Sequence, residues 1–276
     1  MNAAGRVEGR DGACAQPLSQ VLGQTLDRIG ARSSTPGGVS GLTTGYQSLD
    51  ALLGGLQPSS LTVVAGGPSV GKMSFALGIG QHVGVDLKTP VLVFTMERSA
   101  IDIAERLVAI QAQLDLRRSL ANPADSSWGT LGDAVAALKD SKIVLIDDPF
   151  PTLNDIAKRS KHMAKTDGLS LVVVDRLQSI SARSDEHKAL GLKTLARRLD
   201  VPIVALSNLS PNVDFRVDGR AKLADLSDHG DVAEHCDVVL LLSHDREARV
   251  SVRCQKHRGG PIGIVELSWS GAHHLS

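Results

Sequence analysis

Short apolar runs alternate with segments of helical periodicity along most of this 276-residue chain. Beyond Gly45, five such runs are rich in Val, Ile and Leu and are bounded by turn residues: LTVVA, VLVFT, KIVLI, LSLVVV and PIVAL. The segments between them, such as AIDIAERLVAIQAQL, place apolar residues three and four positions apart. Strands that alternate with helices form mostly parallel sheets covered on both faces. The pattern therefore predicts an α/β fold with helices flanking a mostly parallel sheet, and the closely spaced runs VVLLL, RVSVRC and GIVELSW predict an antiparallel C-terminal edge.

The first 44 residues differ from this pattern. Residues 1–16 are small and polar without periodicity, and they predict a disordered lead-in. Residues 17–32 carry apolar side chains at helical spacing, namely Leu18, Val21, Leu22, Leu26 and Ile29. Residues 33–44 are rich in Gly, Ser, Thr and Pro and predict a flexible linker to a domain over residues 45–276. Residues 17–32 therefore predict an amphipathic linker helix, which could fold back on this domain or dock on a neighbouring subunit.

The composition excludes several classes of protein. A chain of this length with 42% hydrophobic residues can bury roughly three quarters of its unfolded surface, which excludes a disordered or fibrous protein. The formal net charge is zero, so any DNA contact must be local, and 3% aromatic residues are too few to stack many bases. Three cysteines without a CxxC pair fit a reducing compartment, and no apolar run suits a bilayer span or a signal peptide. We therefore expect a cytoplasmic protein without a membrane partner.

A glycine-rich motif follows the first predicted strand. It matches GxxxxGK between a strand and a helix and consists of Gly66, Gly67, Pro68, Ser69, Val70, Gly71, Lys72, Met73 and Ser74. In such a loop the backbone N–H groups surround a phosphate, the helix N-terminus adds its dipole, and the lysine reaches the terminal phosphates. The alternative is a glycine-rich turn with a surface lysine. The strand before the motif and the helix after it favour a nucleotide phosphate site.

Met73 occupies the position of this motif where a Ser or Thr hydroxyl holds magnesium. A thioether is a soft ligand and binds a hard cation poorly. Ser74 follows directly, but on a helix its side chain is turned by about 100°, so it cannot simply take this place. The motif therefore predicts nucleotide binding with slow hydrolysis.

Two carboxylates are expected at the same edge of the sheet as this loop. Glu97 follows VLVFT, which we expect to lie beside LTVVA, and Asp175 ends the strand LSLVVVD. Ligands of open α/β sheets bind outside the carboxyl ends of the strands. Glu97 is therefore a candidate base that orients the attacking water, and Asp175 is a candidate for holding magnesium through water. Each acid alone could also be a strand-end cap or a solvated charge.

Several segments occur in an order that resembles a known family. They are GLTTGYQSLDALLGGLQPSSLTVVAGGPSVGK, VFTMERSA, IDDPFPTLNDIAKRSKHMAKTDGLSLVVVDRLQSI, VPIVALSNLS and QKHRGGPIGIVEL. Over about residues 17–270 they resemble the motor domain of DnaB-type replicative helicases, which implies a RecA-like P-loop NTPase core. PLSQVLGQTLDRI resembles the linker helix by which these helicases dock on the adjacent subunit. The family's separate N-terminal helical domain is expected to be absent.

The resemblance also implies roles for individual residues. Glu97 would activate water, Asp175 would bind Mg²⁺ through water, and Asn208, where the family usually has Gln, would sense the γ-phosphate of ATP. Lys256 and Arg258 would reach the nucleotide of the neighbouring subunit, where a trans-acting arginine neutralises charge during phosphoryl transfer. The alternative for this KHR segment is an exposed basic turn. The implied partners are single-stranded DNA, replication proteins and further copies of the chain in a ring, a hexamer by resemblance.

Two regions besides Met73 depart from the family pattern. The loop that grips DNA phosphates in these helicases corresponds to residues 225–230, with Ser227, Asp228 and Gly230 as candidate DNA-binding residues, and its arginine is missing. Residues 207–236 carry three basic and six acidic side chains, which is unfavourable for phosphate binding. Arg176 stands where an aromatic residue is usual.

Two functions remain in view at this point. One is a DnaB-like helicase ATPase that couples ATP hydrolysis to 5′ to 3′ movement along single-stranded DNA in replication. The other is a diverged nucleotide-binding relative that assembles with or regulates a partner and has weak or no helicase activity. Met73 and the acidic loop favour the second function, whereas Lys72, Glu97, Asp175 and the KHR segment favour the first. A recombination or clock-type ATPase is disfavoured by the DnaB-specific segments.

Overall fold

The computed structural model describes most of the chain. The described residues are 15–34, 39–116, 119, 127–181, 187–210, 221–229, 232–244, 249–270 and 274–275. The predicted lead-in over residues 1–16 therefore lies outside the described residues except at its last two positions, and residues 35–38 of the predicted linker also lie outside them.

Helices and strands alternate through the described part of the chain. The α-helices are α1 (Leu18–Ser34), α2 (Gln47–Leu53), α3 (Lys72–Gln81), α4 (Ala100–Ala112), α5 (Ser127–Lys139), α6 (Leu153–Thr166), α7 (Lys188–Leu199) and α8 (Val232–His235). The strands are β1 (Leu61–Gly66), β2 (Val91–Thr95), β3 (Ile143–Asp147), β4 (Leu171–Asp175), β5 (Ile203–Asn208), β6 (Val238–His244), β7 (Val250–His257), β8 (Gly263–Leu267), β9 (Trp269–Ser270) and β10 (His274–Leu275). A π-helical turn, His82–Asp86, extends α3, and 3₁₀ turns cover Leu177–Ser179 and Leu223–His229.

Eight of these strands form one sheet in the order β3-β2-β4-β5-β1-β6-β7-β8. The pairs among the first six strands of this order are parallel, and β7 and β8 are added antiparallel. The predicted fold class is thus confirmed, with β6 pairing parallel to β1 and the antiparallel edge starting at β7. The expectation that VLVFT lies beside LTVVA is wrong, because β4 and β5 lie between β2 and β1.

The sheet is covered on both faces by apolar side chains. One core includes Phe75 and Leu77 of α3 with Val64 of β1, and the other includes Ile156 of α6 and Leu192 of α7. Every residue of β1, β2 and β4 is buried, which explains why these strands are continuous apolar runs without alternation. Edge strand β3 is less buried, and Val144 is 45% exposed.

The segment just before α2 belongs to the folded body. The backbones of Leu42 and Leu56 exchange two hydrogen bonds, and fully buried Thr44 donates its N–H to the Asp50 carboxylate at 2.8 Å. The end of the linker predicted over residues 33–44 is therefore packed rather than flexible, because Gly41 fits closely against Leu56 and Thr44 is bonded to Asp50 of α2.

The apolar side chains of α1 are exposed in the structure. Leu18, Leu22, Leu26 and Ile29 expose 71%, 49%, 67% and 54% of their surface. Of the two alternatives for this helix, the exposed face favours a contact outside the chain's own domain.

Candidate nucleotide-binding site

The glycine-rich motif forms a tight loop between the end of β1 and the start of α3. A Cβ atom on Gly66 would lie 2.6 Å from Val70 Cγ1 and 2.8 Å from the Leu242 carbonyl oxygen, so a larger residue would clash there. Gly71 has a φ of 90°, which glycine adopts without strain. The loop therefore brings its backbone N–H groups to the N-terminus of α3, which is the arrangement that binds phosphate.

Lys72, the first residue of α3, lies over this loop. Its Nζ atom donates hydrogen bonds to the carbonyl oxygens of Gly66 at 2.8 Å and Gly67 at 2.7 Å. Burial lowers the pKa of the Lys72 ammonium, and the nearby Asp175 and Glu97 carboxylates oppose that shift. The ammonium is thus partly desolvated and close to the loop, where its charge acts strongly on an anion.

The turn after β2 carries Glu97 and Arg98 to the same edge of the sheet. The Met96 N–H donates to the carbonyl oxygen of Asp175 at 3.1 Å, which joins the ends of β2 and β4. The Thr95 hydroxyl donates to the Arg98 carbonyl oxygen at 2.7 Å and closes the turn. Ser99 and Asp102 then form a capping box that starts α4. These bonds fix the position of Glu97 relative to Asp175.

A cavity of about 460 Å³ opens at this edge of the sheet. It brings together most of the predicted site residues, namely Glu97, Asp175, Asn208 and the loop residues from Pro68 to Ser74. Arg98, Arg106 and Arg176 also line it. Sequence reasoning did not assign these three arginines to the site. Arg98 and Arg176 could have been found because each directly follows a predicted acid, whereas Arg106 is brought in by the direction of α4.

Asp175 and Glu97 have different surroundings within the cavity. Asp175 is buried, and desolvation, followed by the charge of Glu97, raises the pKa of its carboxyl to about 6. Glu97 forms an ion pair with the Arg176 guanidinium, and the two side chains are 42% and 28% exposed. The carboxylate predicted to orient water is therefore held by a neighbouring cation.

Asn208 ends β5 beside the glycine-rich loop. Gln178 donates from Nε2 to the Ser207 hydroxyl at 2.9 Å, and its Oε1 accepts from the Asn208 N–H at 3.4 Å. Gln178 thus supports the strand end that carries the predicted γ-phosphate sensor.

Lys256 and Arg258 lie at the opposite end of the strands. His257 pairs with Val238 at the start of β6, whereas Gly66 pairs with Leu242 four residues further along. Four residues of strand correspond to about 13 Å. The Lys256 ammonium donates to the Ala233 carbonyl oxygen at 2.6 Å, and Arg258, half exposed, donates to that of Glu234. The structure therefore does not bring these two residues to the cavity of their own chain.

The predicted DNA-binding loop is only partly within the described residues. Ser227 and Asp228 belong to the 3₁₀ turn Leu223–His229, but their side chains and Gly230 lie outside the described part. Buried Asp225 accepts from the Lys222 N–H at 2.6 Å, and its carbonyl oxygen accepts from the Ser210 N–H at 2.9 Å. These bonds tie the start of the loop to the segment that follows β5.

The residues of the cavity fit the phosphates of a nucleotide, but they do not fit a directly bound Mg²⁺. The Met73 side chain is buried in the apolar core that also contains Phe75, and a thioether is a poor ligand for this ion. Asp175 is a buried carboxyl with a raised pKa, and Glu97 is bound to Arg176. Among the described residues, no three His, Cys, Asp or Glu side chains form a possible metal cluster.

The fold and this cavity define a RecA-like P-loop nucleotide-binding domain. A model of the DnaB-like helicase C-terminal domain matches residues 41–275, and the chain belongs to that family. The replicative DNA helicase DnaB of Geobacillus stearothermophilus is 33% identical over 272 residues, which are 91% of this chain and 60% of the relative. The replicative DNA helicase DnaC of Bacillus subtilis is 31% identical, with 92% and 60% covered. The chain thus spans about 60% of the length of these curated relatives.

Solved structures agree with this assignment. A DnaB-like replicative helicase, described with its interactions with primase, has a TM-score of 0.82 at 25% identity and covers 97% of this chain and 69% of its own. A solved ATPase domain has a TM-score of 0.84 at 26% identity, with 92% and 95% covered. A KaiC-like protein from Pyrococcus horikoshii shares the fold, with a TM-score of 0.58 at 18% identity. Within the described residues, no helix has the length and apolar character of a membrane span.

Proposed function

We propose that this chain is the ATPase motor of a DnaB-like helicase, which couples ATP hydrolysis to 5′ to 3′ movement along single-stranded DNA in replication. The observation that carries the proposal is the cavity itself, in which Lys72, Glu97, Asp175 and Asn208 meet at the carboxyl ends of their strands beside the glycine-rich loop. Its relatives over the same residues are replicative DNA helicases, which supports the same activity. We propose that it acts in the cytoplasm together with other replication proteins.

In this proposal the glycine-rich loop with Lys72, Glu97 and Asn208 perform three separate tasks. The loop amides and Lys72 hold the phosphates of ATP, because they present N–H groups and a desolvated charge to them. Glu97 orients the attacking water once it is released from Arg176, and Asn208 contacts the terminal phosphate. Charge neutralisation and positioning are the main contributions a protein makes to phosphoryl transfer.

The site needs a second copy of the chain to be complete. Arg258 lies beside the start of β6, about 13 Å from the strand ends that carry the glycine-rich loop, so its guanidinium serves the nucleotide of a neighbouring subunit rather than that of its own chain. Lys256 accompanies it on the same side of the domain. The exposed apolar face of α1 provides a second contact between subunits. A ring, with six subunits by analogy with the family, satisfies both contacts.

ATP turnover with and without single-stranded DNA tests this function. If the chain is a motor, single-stranded DNA should raise ATP turnover, because translocation couples ATP hydrolysis to movement along the DNA. Tight ATP binding with turnover that DNA does not change would favour the second candidate, a nucleotide-binding relative that assembles with or regulates a partner. Met73 and the excess of acidic residues over residues 207–236 are the observations that favour that candidate.

Met73→Thr should increase ATP turnover at saturating Mg²⁺. The substitution replaces a buried thioether with a hydroxyl, which is an oxygen ligand that a divalent cation accepts. We expect a gain of about 10-fold or more, the range seen when ligands that support a metal site are changed. Met163→Thr, in the core on the other face of the sheet, is the matched control for the loss of a buried thioether and should give no gain. An unchanged rate for Met73→Thr would mean that the missing hydroxyl does not limit hydrolysis.

A further inference from the structure

Arg176 is a positive charge of the phosphate cavity to which the proposed hydrolysis assigns no contact with ATP. It follows Asp175 at the end of β4, lines the cavity beside Lys72, and forms an ion pair with Glu97. Its Nε atom is buried and has no hydrogen-bond partner among the described residues. A buried N–H group without an acceptor is costly, so the guanidinium is incompletely satisfied in its present position, and a shift of Arg176 that brings it to an acceptor in the cavity would be favoured.

The surroundings of Arg176 carry an excess of positive charge, which is complementary to a triphosphate and not to a metal ion. Arg98 and Arg106 line the same cavity, so three guanidinium groups and the Lys72 ammonium face two carboxylates. One of these carboxylates, Glu97, is already paired with Arg176. A guanidinium group binds phosphate oxygens through directed, charge-assisted hydrogen bonds, and it repels a divalent cation.

Met73 leaves the motif without its hydroxyl in the same cavity to which Arg176 adds a cation. Both residues line the cavity, and the thioether of Met73 offers Mg²⁺ no useful ligand. A metal ion in an NTPase site neutralises the charge of the phosphates. A guanidinium group supplied by the protein performs part of that neutralisation without a metal.

We propose that Arg176 supplies phosphate-binding charge from the protein itself, so that this chain binds nucleoside triphosphates with little dependence on divalent cations. This inference rests on the proposed nucleotide site and specifies how that site recognises its ligand. In the bound state, the Arg176 guanidinium contacts phosphate oxygens in place of Glu97, which releases that carboxylate to orient water.

The test measures the affinity of the full chain for ATPγS by calorimetry, in excess EDTA and in excess Mg²⁺. The wild-type affinities in the two conditions should agree to within about threefold. Arg176→Gln should weaken binding in EDTA by about 10-fold or more, which is the loss expected for a charge-assisted hydrogen bond. Arg159→Gln, on the exposed face of α6, removes the same charge elsewhere and should leave the affinity unchanged.

Two results would overturn the inference while leaving the nucleotide site intact. One is a wild-type affinity that falls 10-fold or more in EDTA, a measurement that needs no variant. The other is an Arg176→Gln chain, folded by circular dichroism, that binds in EDTA as tightly as Arg159→Gln. Failure of the nucleotide site itself would look different, because Lys72→Ala would then bind ATPγS as the wild type does in both conditions.

Discussion

Lys72→Ala is expected to weaken ATP binding at least about 10-fold, the loss that accompanies removal of a charged hydrogen-bond donor. Lys72 starts α3 and is the lysine of the glycine-rich motif, and its ammonium lies within 2.8 Å of two loop carbonyl oxygens. Burial has already removed part of its hydration, so a phosphate can replace the loop carbonyls at little cost. Calorimetric titration with ATP measures the effect.

The control for this variant must distinguish the loss of a positive charge at the glycine-rich loop from the loss of a positive charge elsewhere on the protein. Lys161→Ala removes an exposed lysine from α6 and should bind ATP as the wild type does. Because Lys72 also holds the loop carbonyls of Gly66 and Gly67, thermal unfolding of both variants should be compared first. An unchanged affinity in a folded Lys72→Ala chain would refute the assignment of the phosphate site.

The parts of the site that lie close together in sequence could be predicted from the sequence. The glycine-rich loop is a local structure whose strand, turn and helix follow one another, so a short motif specifies it. Glu97 and Asp175 are far apart in sequence, but their shared edge could also be predicted, because every parallel strand delivers its last residues to the same edge of the sheet.

The arrangement across the sheet could not be predicted in the same way. The sequence order suggested that β2 lies beside β1, but β4 and β5 are inserted between them, and nothing in VLVFT specifies its neighbours. As a result β2 pairs with β4, and the Glu97 side chain meets Arg176. Arg176 was noted only as an unusual residue, since its ion pair depends on strand order. The approach of Arg106 likewise depends on how α4 packs.

The largest expected effect is on ATP turnover at a site that combines residues of two subunits. Arg258→Ala should lower ATP turnover by about 10³-fold or more, because an arginine supplied by a neighbour contributes that much to phosphoryl transfer. Glu97→Gln should also be nearly inactive, because it removes the carboxylate that orients water. Arg197→Gln is the control for the loss of a neighbouring positive charge, since Arg197 lines a separate pocket with Arg258 at the other end of the sheet.

Mixed oligomers of Arg258→Ala and Glu97→Gln chains should recover measurable turnover. Where the Glu97→Gln chain presents its intact Arg258 to a nucleotide held by the Arg258→Ala chain, that interface contains both an arginine and a water-orienting Glu97. The recovered turnover should require assembly. Deletion of residues 1–32 removes the exposed apolar face of α1, so it should shift sedimentation toward the monomer and abolish the recovered turnover. Two-tag purification would establish that the oligomers are mixed before turnover is measured. Mixed oligomers without recovered turnover would show that Arg258 does not act on a neighbour, because only an arginine that acts between subunits can be supplied by one chain to a site in another.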